Sequence, residues 1–448
     1  DSRKHSAEKG IQYAMKTLGM TSFTPICAYL YVQLTICYAI LTRDARTKNE
    51  RDEFAKKMLQ FAKEAEQVGK NYNDGYFPEL SPQWSYRYAL LTCLRIQAET
   101  TENKDEKIKY LKEAATVLKK DIISLKDIYI TPNPWVSFEL DYQLGYIYYK
   151  ISTLTNENSF LRKAKEIILD VIKETFKTGS VQPRISAYKM IAVIEDRNGN
   201  YMASAEYYEK VQMCYTELLK TPEDEYSNEM NKFSIKLYEG KLLLERAKAY
   251  HKIEDHLKAK EFNIKASKKL KELSLLPTTA YEATFYNAWA LLEEAEFFSK
   301  QERLEEATKA YERAKKNFQN TIDNLKQAPK EKLSINFITT LEKVAKTRID
   351  YCSARIALEK ARILGKEGRH LEAAEIFATT ASQFRTLCEL YKIEGEHKKL
   401  EAIFFLCRAW EHMELAEEHI DSEMYARAAK QFTMASDTFN KTKNKFLA

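Results

Sequence analysis

The chain has 448 residues, and its 71 basic and 65 acidic residues leave a formal net charge of only +6. This balance does not favour a nucleic-acid-binding protein, because such proteins concentrate positive charge on one face. Glycine and proline number only 11 and 9, whereas average usage would give roughly 30 and 22. A β-rich chain needs turn residues about every 8–12 positions, so the sequence predicts an all-α protein.

The segment Thr21–Thr42 has 22 residues and no charged side chain. Its length would allow it to cross a bilayer, but Pro25, Gln33 and several threonines and tyrosines make it a poor membrane span. The alternative is a buried helix with Pro25 in its first turn, where the missing N–H costs nothing. We therefore expect no integral membrane span. We also expect Ser6–Leu18, an upstream segment or a partner protein to cover the far side of this helix.

Prolines recur at intervals of about 50 residues and mark joints between units, because proline is excluded from helix interiors. We expect a single helical array over residues 1–448, with divergent units in 1–180, middle units in 181–330 and C-terminal units in 331–448. The stretch Lys330–Gly365 has no glycine or proline before its end. It predicts one helix about 50 Å long at about 1.5 Å per residue.

Small and aromatic residues recur at fixed spacings in predicted helix–turn–helix pairs. The clearest copy has Ala295 and Phe298 on its first helix and Ala307, Tyr311 and Ala314 on its second. Further copies are Leu144, Gly145 and Tyr148; Gly199, Tyr201, Ser204, Tyr208 and Val211; Ala247, Tyr250, Ala259 and Ala266; Ala361, Leu364, Ala373 and Phe377; and Ala416, Ala428, Phe432 and Ala435. This pattern resembles the tetratricopeptide repeat, and the resemblance implies a right-handed superhelical solenoid of about eight antiparallel helix hairpins. The copies lie 40 to 66 residues apart, beyond the family's period of about 34, and so look like the long-helix arrays of the NSF-attachment type.

No constellation for catalysis or cofactor binding occurs in the sequence. The phosphate-binding motifs GxxxxGK[ST] and GxGxxG are absent, as are HExxH and GxSxG. Among the seven histidines, His370 and His397 each follow a glutamate by three residues, but glycine interrupts both pairs. His412 and His419 share one helix face, where two ligands make at best an adventitious site. We therefore expect no enzyme activity, no cofactor and no metal site.

Tyrosine accounts for 28 residues of the chain, and three of them form a row. Tyr142, Tyr146 and Tyr149 fall at i, i+4 and i+7 on one face of a predicted first helix. The resemblance implies that this face points into the concave groove, where tyrosine offers a large apolar ring and a hydroxyl. We take these three residues and Lys189 as candidate protein-binding residues, the alternative being that the rings pack between neighbouring helices. Lys189 occupies the lysine position of the family's carboxylate clamp, but Val193 replaces the asparagine.

The leading functional hypothesis is a non-enzymatic scaffold that holds a protein or peptide in the concave face of the array. Two alternatives stay open: a regulatory or sensor domain of a larger signalling or transcription protein, and a membrane-trafficking adaptor resembling the NSF-attachment proteins. The seven scattered cysteines include no CxxC pair, which predicts reduced thiols in a cytoplasmic protein. The most basic segment, Lys241–Lys271, distributes its lysines around its helices, so we expect no nucleic-acid partner. Because the chain starts with Asp1, we expect a processed or trimmed product.

Overall fold

The structure is a computed structural model that describes residues 2–22, 24–45, 47–70, 86–128, 134–220, 224–273, 277–328, 333, 335–390 and 394–447. These described residues form seventeen α-helices and no β-strand, which confirms the predicted all-α class. The helices fall into two compact units, Asp1–Asn198 and Gly199–Ala448.

The helices of the first unit are α1 (Ser2–Leu18), α2 (Thr24–Asp44), α3 (Lys48–Lys70), α4 (Tyr86–Thr100), α5 (Lys104–Ile128), α6 (Pro134–Thr155), α7 (Asn158–Thr178) and α8 (Val181–Arg197). Those of the second unit are α9 (Tyr201–Leu218), α10 (Glu225–Lys252), α11 (His256–Lys271), α12 (Pro277–Lys300), α13 (Leu304–Lys326), α14 (Ile335–Lys366), α15 (His370–Leu390), α16 (Glu394–Asp421) and α17 (Tyr425–Leu447).

Several helices begin where the prolines predicted a joint. Pro134 and Pro277 are the first residues of α6 and α12, and Pro25 and Pro183 lie in the first turns of α2 and α8. Proline loses no helical hydrogen bond at such positions. The remaining five prolines lie outside the described residues: Pro78, Pro82, Pro132, Pro222 and Pro329.

The uncharged segment of the sequence forms α2, which contacts α1, α3 and α4. Val32 and Leu34 of this helix are fully buried. Gly10 of α1 approaches it so closely that a Cβ atom on Gly10 would lie 2.9 Å from Cys37 Sγ. Of the three covers expected for this helix, the N-terminal segment is the one seen in contact with it, while Ile26 and Tyr29 of α2 stay exposed.

Within the described part of the chain, Ile26–Asp44 is the one segment long and apolar enough to cross a membrane, and 44% of its window is buried inside the protein. Core helices and signal sequences pass the same test of length and composition, so the finding alone does not separate a membrane span from a buried helix. The hydroxyls of Thr35 and Thr42 donate to the carbonyl oxygens of Tyr31 and Tyr38, at 2.9 and 2.7 Å. These two polar groups are thus satisfied within the helix.

In the second unit every helix from α9 to α17 packs against the next, and α12 also contacts α14. The core between these helices contains Phe318, Phe377 and Phe384, all almost completely buried. Helix α14 is 32 residues long and covers most of the stretch Lys330–Gly365 for which one long helix was predicted, although it begins at Ile335 and Leu333 lies in a bend before it. The first predicted residues of that helix, 330–332 and 334, lie outside the described part.

Four helix-to-helix turns of the second unit share one backbone conformation. Each turn contains one residue in the left-handed region, with φ between 57° and 78°: Glu254, Glu302, Gly368 and Glu423. In each turn, the N–H of the following residue donates to a carbonyl five positions earlier, as Arg303 does to Phe298 at 3.0 Å. This pattern satisfies carbonyl groups that the end of a helix leaves without partners.

Buried alanines lie at constant distances from these four turns. One alanine precedes each left-handed residue by seven positions, and another follows it by five. The pairs are Ala247 and Ala259, Ala295 and Ala307, Ala361 and Ala373, and Ala416 and Ala428. These are the small residues from which the sequence predicted helical pairs, and their equivalent positions show that the second unit contains helical repeats.

We predict that Glu423→Gly raises the free energy of unfolding by about 1 kcal/mol and that Gly368→Ala lowers it by about as much. The reason is that a Cβ atom is strained in the left-handed region. Urea unfolding followed by circular dichroism measures both changes. As a control, Glu305→Gly makes the same replacement inside the first turn of α13 and should lower the free energy by up to about 1 kcal/mol. Destabilisation by Glu423→Gly would contradict the assignment of the turn.

Candidate protein-binding surface

The predicted row of tyrosines lies on α6, and its three rings are half-buried. Leu144 and Ile147 on the same helix are buried in the core. The core therefore fixes one side of α6 and leaves Tyr142, Tyr146 and Tyr149 at the border between core and solvent.

Two cations lie over the ring of Tyr146. The Arg95 Cζ atom, from α4, is 5.7 Å from the ring centroid, and Lys150 Nζ is 5.3 Å from it. Arg95 also donates from Nη1 to Gln143 Oε1 at 2.7 Å, and Gln143 Nε2 donates to Glu139 Oε1 at 2.6 Å. Because a cation over an aromatic face is attracted by the ring, this chain of contacts holds the guanidinium against Tyr146.

A third cation reaches the tyrosine row from α8. Arg197 Nη2 donates to the carbonyl oxygen of Ser152 at 3.0 Å and to Asn156 Oδ1 at 3.2 Å. Burial raises the pKa of the Tyr149 hydroxyl, and the positive charge of Arg197 partly opposes that rise. We call this set of residues the tyrosine surface: Tyr142, Tyr146, Tyr149, Arg95, Lys150 and Arg197.

The fourth predicted residue, Lys189, is half-buried on α8, a helix that contacts α6. Neither Lys189 nor Tyr142 is without an interaction partner. The sequence named the tyrosines as candidate binding residues but did not indicate the two arginines beside them. Arg95 and Arg197 lie about 50 residues to either side of Tyr146 in the sequence, and no local motif links them to it.

A glutamate recurs in the second unit, two residues before each first-helix alanine: Glu245, Glu293, Glu359 and Glu414. The first three are buried and the fourth is half-buried. The signal was present in the sequence as Leu-Glu-x-Ala, with Met in place of Leu in the last copy. The predicted repeat pattern rested on small and aromatic residues, so it did not include this glutamate.

Three of these glutamates contact the preceding helix pair. Ser299 Oγ donates to Glu359 Oε1 at 2.6 Å, and Glu414 Oε2 lies 2.8 Å from His370 Nδ1. A Cβ atom on Gly365 would collide with the Glu414 carboxylate. The repeated glutamate therefore joins consecutive helix pairs of the second unit, and its partners differ from one junction to the next.

At the first of these junctions two imidazoles face one carboxylate. His251 Nδ1 lies 2.7 Å from Glu293 Oε1, and His256 Nδ1 lies 2.7 Å from Glu293 Oε2. Trp289 Nε1 also donates to Glu293 Oε1, at 2.9 Å. The side chain of Glu293 is 0% exposed and that of His256 is 4% exposed, whereas that of His251 is 34% exposed.

The charges of this cluster depend on each other. Burial would raise the pKa of Glu293, but the two imidazoles outweigh burial and hold it at about 2. Burial likewise would lower the pKa of His251, but the Glu293 carboxylate raises it above its ordinary value. The contact of His251 Nδ1 with the carboxylate is short yet lacks good hydrogen-bond geometry.

Arg355 of α14 supplies the positive charge at the second junction. Its Nη2 donates to Ser299 Oγ at 2.8 Å and lies 3.3 and 3.5 Å from the carboxylates of Glu359 and Glu296. Its Nε donates to the Tyr311 hydroxyl at 2.8 Å. Burial acts to raise the pKa of Glu296, but the charges of Arg355 and Lys399 and the hydroxyls of Tyr351 and Tyr311 together outweigh burial and keep that pKa below its ordinary value.

Two of the histidines that the sequence analysis named, His397 and His412, have separate partners. His397 Nδ1 lies 3.0 Å from the Cys388 carbonyl oxygen, and His412 Nδ1 lies 2.9 Å from Gln431 Oε1. The cluster around Glu293 was not anticipated, because its two histidines lie on either side of a turn and the glutamate follows 37 residues after His256.

Comparisons with known proteins give no family. No family model matches the chain, and no curated protein matches it. One solved structure with a partial likeness is a circular tandem repeat protein with novel repeat topology and enhanced subunit contact surfaces. The two chains are 13% identical with a TM-score of 0.29, over 94% of this chain and 99% of that one.

We predict that Arg355→Met lowers the free energy of unfolding by about 3–5 kcal/mol, because it removes the cation between the buried carboxylates of Glu296 and Glu359 and leaves only Arg362 paired with Glu359. Arg369→Met is the matched control, since it breaks an exposed ion pair with Glu372 and should leave stability unchanged. Urea unfolding of both variants provides the measurement. Equal effects of the two substitutions would show that Arg355 is not essential to the buried network.

Proposed function

We propose that the protein is a non-enzymatic scaffold that binds a protein or peptide on the tyrosine surface. The observation that carries this proposal is a row of tyrosines on α6 with Arg95 of α4 over one ring and with Arg197 of α8 bonded to the end of the same helix, where its charge acts on Tyr149. Tyrosine and arginine are the residue types that dominate the binding energy of protein interfaces. A surface that combines them at the edge of a rigid core is suited to recognition.

The chemistry of the surface indicates the kind of partner. Arg95, Lys150 and Arg197 contribute three positive charges, and the tyrosines contribute apolar rings with hydroxyl groups. A peptide with a carboxylate next to an apolar side chain would complement both features. Lys189, on the adjacent helix α8, adds a further cation to this region.

We also propose that the helical pairs belong to the tetratricopeptide-like class and build a right-handed superhelical solenoid of about eight hairpins. The equivalent left-handed turns and buried alanines of the second unit support this assignment. The spacing of the turns supports the long-helix variety: Glu254, Glu302, Gly368 and Glu423 are 48, 66 and 55 residues apart in sequence.

The proposed setting is the cytoplasm, without a nucleic-acid partner, an integral membrane span or a cofactor. None of the seven cysteines forms a disulfide, which is compatible with a reducing compartment. Several lysines of the basic segment pair with carboxylates, among them Lys260 with Glu294 at 2.8 Å and Lys269 with Glu239 at 3.0 Å. Such pairing favours a solvated helix surface over a phosphate-binding one.

We predict that a photo-crosslinking amino acid at Tyr142 or Tyr146 captures a specific partner protein from cells of the native source. We further predict that Tyr146→Ala weakens binding of that partner at least about 10-fold, because a central tyrosine is a typical hot-spot residue. Isothermal titration calorimetry with the purified partner measures the loss.

The controls are exposed tyrosines that do not belong to the tyrosine surface. Tyr13 and Tyr226 are 70% and 75% exposed, and the same crosslinker there should not capture the partner. Tyr13→Ala and Tyr226→Ala should leave the affinity unchanged. If Tyr146→Ala keeps its helical circular dichroism and binds with full affinity, the tyrosine surface is not the binding site.

A further inference from the structure

We propose that His251, His256 and Glu293 form a binding site for a divalent transition-metal ion, and that Zn²⁺ is the ion that fits best. One potential ligand atom from each of these residues lies within 4.8 Å of the other two. The site belongs to the second unit and is independent of the tyrosine surface. It joins the end of α10, the start of α11 and the middle of α12.

The donor atoms decide which metals can bind. Two imidazole nitrogens and one carboxylate oxygen form the three-ligand set of many zinc sites, in which water fills the fourth position. Imidazole also suits copper, nickel and iron, whereas calcium and magnesium prefer a shell made of oxygen atoms alone. The cluster therefore selects for transition metals over the abundant alkaline-earth ions.

Electrostatics favours an ion between these side chains. The Glu293 carboxylate is fully buried, and a buried negative charge needs a positive partner close by. A divalent cation would provide that charge and would allow both histidines to be neutral ligands. Arg348 and Lys399 are the nearby cations that act on His251 from α14 and α16, and they set a limit on affinity.

The surroundings supply the support that a metal site requires. Trp289 Nε1 holds Glu293 Oε1 at 2.9 Å, the kind of outer hydrogen bond that orients a metal-binding carboxylate. His251 is the most exposed of the three ligands and opens a path for the ion. Ligand atoms around tetrahedral zinc lie roughly 3.4 Å apart, whereas each Nδ1 lies 2.7 Å from a Glu293 oxygen, so both imidazoles have to move away from the carboxylate when the ion enters.

The junction made by Glu293 has a potential ligand that the equivalent junction at Glu414 lacks. At the junction made by Glu414, the position equivalent to His256 is His370, but the position equivalent to His251 is Gly365. That junction therefore has one imidazole and one carboxylate. It provides an internal control that contains the same histidine–glutamate contact without the third ligand.

The test is equilibrium dialysis of the full chain, stripped with a chelator, against Zn²⁺, followed by metal analysis. We expect one zinc ion per chain for the wild type and a rise in melting temperature when zinc is added. His251→Asn and Glu293→Gln should each weaken zinc binding more than about 100-fold, because both remove a ligand. Trp289→Phe should weaken it about 10-fold, as expected for an outer hydrogen bond.

The control variant is His370→Asn, which should bind zinc as the wild type does. Helical circular dichroism verifies that each variant is folded, and the half-exposed position of His251 makes His251→Asn the variant least prone to disturb the fold. Failure of the wild type to bind zinc would overturn the proposal. So would equal affinity in the wild type and a folded His251→Asn variant.

Discussion

The close approach of paired helices at small buried residues is the constraint on which the second unit depends. In the pair α12–α13, Ala295 and Ala307 are completely buried on either side of the turn at Glu302. A larger side chain at either position would push the two helices apart, because protein interiors have no spare volume. The left-handed turn residue makes the approach possible, since it reverses the chain within three residues between Lys300 and Leu304.

The repeat also positions the charged groups inside the second unit. The glutamate two residues before each alanine, as at Glu293 and Glu359, lies on roughly the opposite face of the helix and contacts the preceding pair. A buried carboxylate must find positive or hydrogen-bonding partners. The junctions provide different ones: imidazoles for Glu293, and Arg355 with Ser299 for Glu359. The same backbone geometry therefore supports junctions of different chemistry.

The sequence predicted features that depend on neighbours along the chain. The all-α class follows from composition, and the long helix α14 follows from the lack of glycine and proline before the end of its segment. The packing of α1 on α2 follows from the uncharged surface of α2, which other residues have to bury. Partners across junctions were not predictable in the same way. His256 meets Glu293 over 37 residues, whereas Ser299 meets Glu359 over 60, because the connections vary in length and leave no fixed spacing to search for. The Leu-Glu-x-Ala pattern becomes informative only once the helix pairs have been aligned on their turns.

The charged groups of the Arg355 junction and those of the tyrosine surface differ in burial, and this difference bears on where a partner can bind. In the second unit Arg355 and its carboxylates are buried and bonded to one another, so a ligand would have to break those bonds to use them. In the first unit Arg95 is held against Tyr146 by Gln143, with all three side chains still half-buried and in reach of solvent. A ligand there would meet groups already ordered, which lowers the entropy lost on binding. These ordered contacts favour the binding proposed for the tyrosine surface, whereas the Arg355 junction is better suited to stabilising the helices.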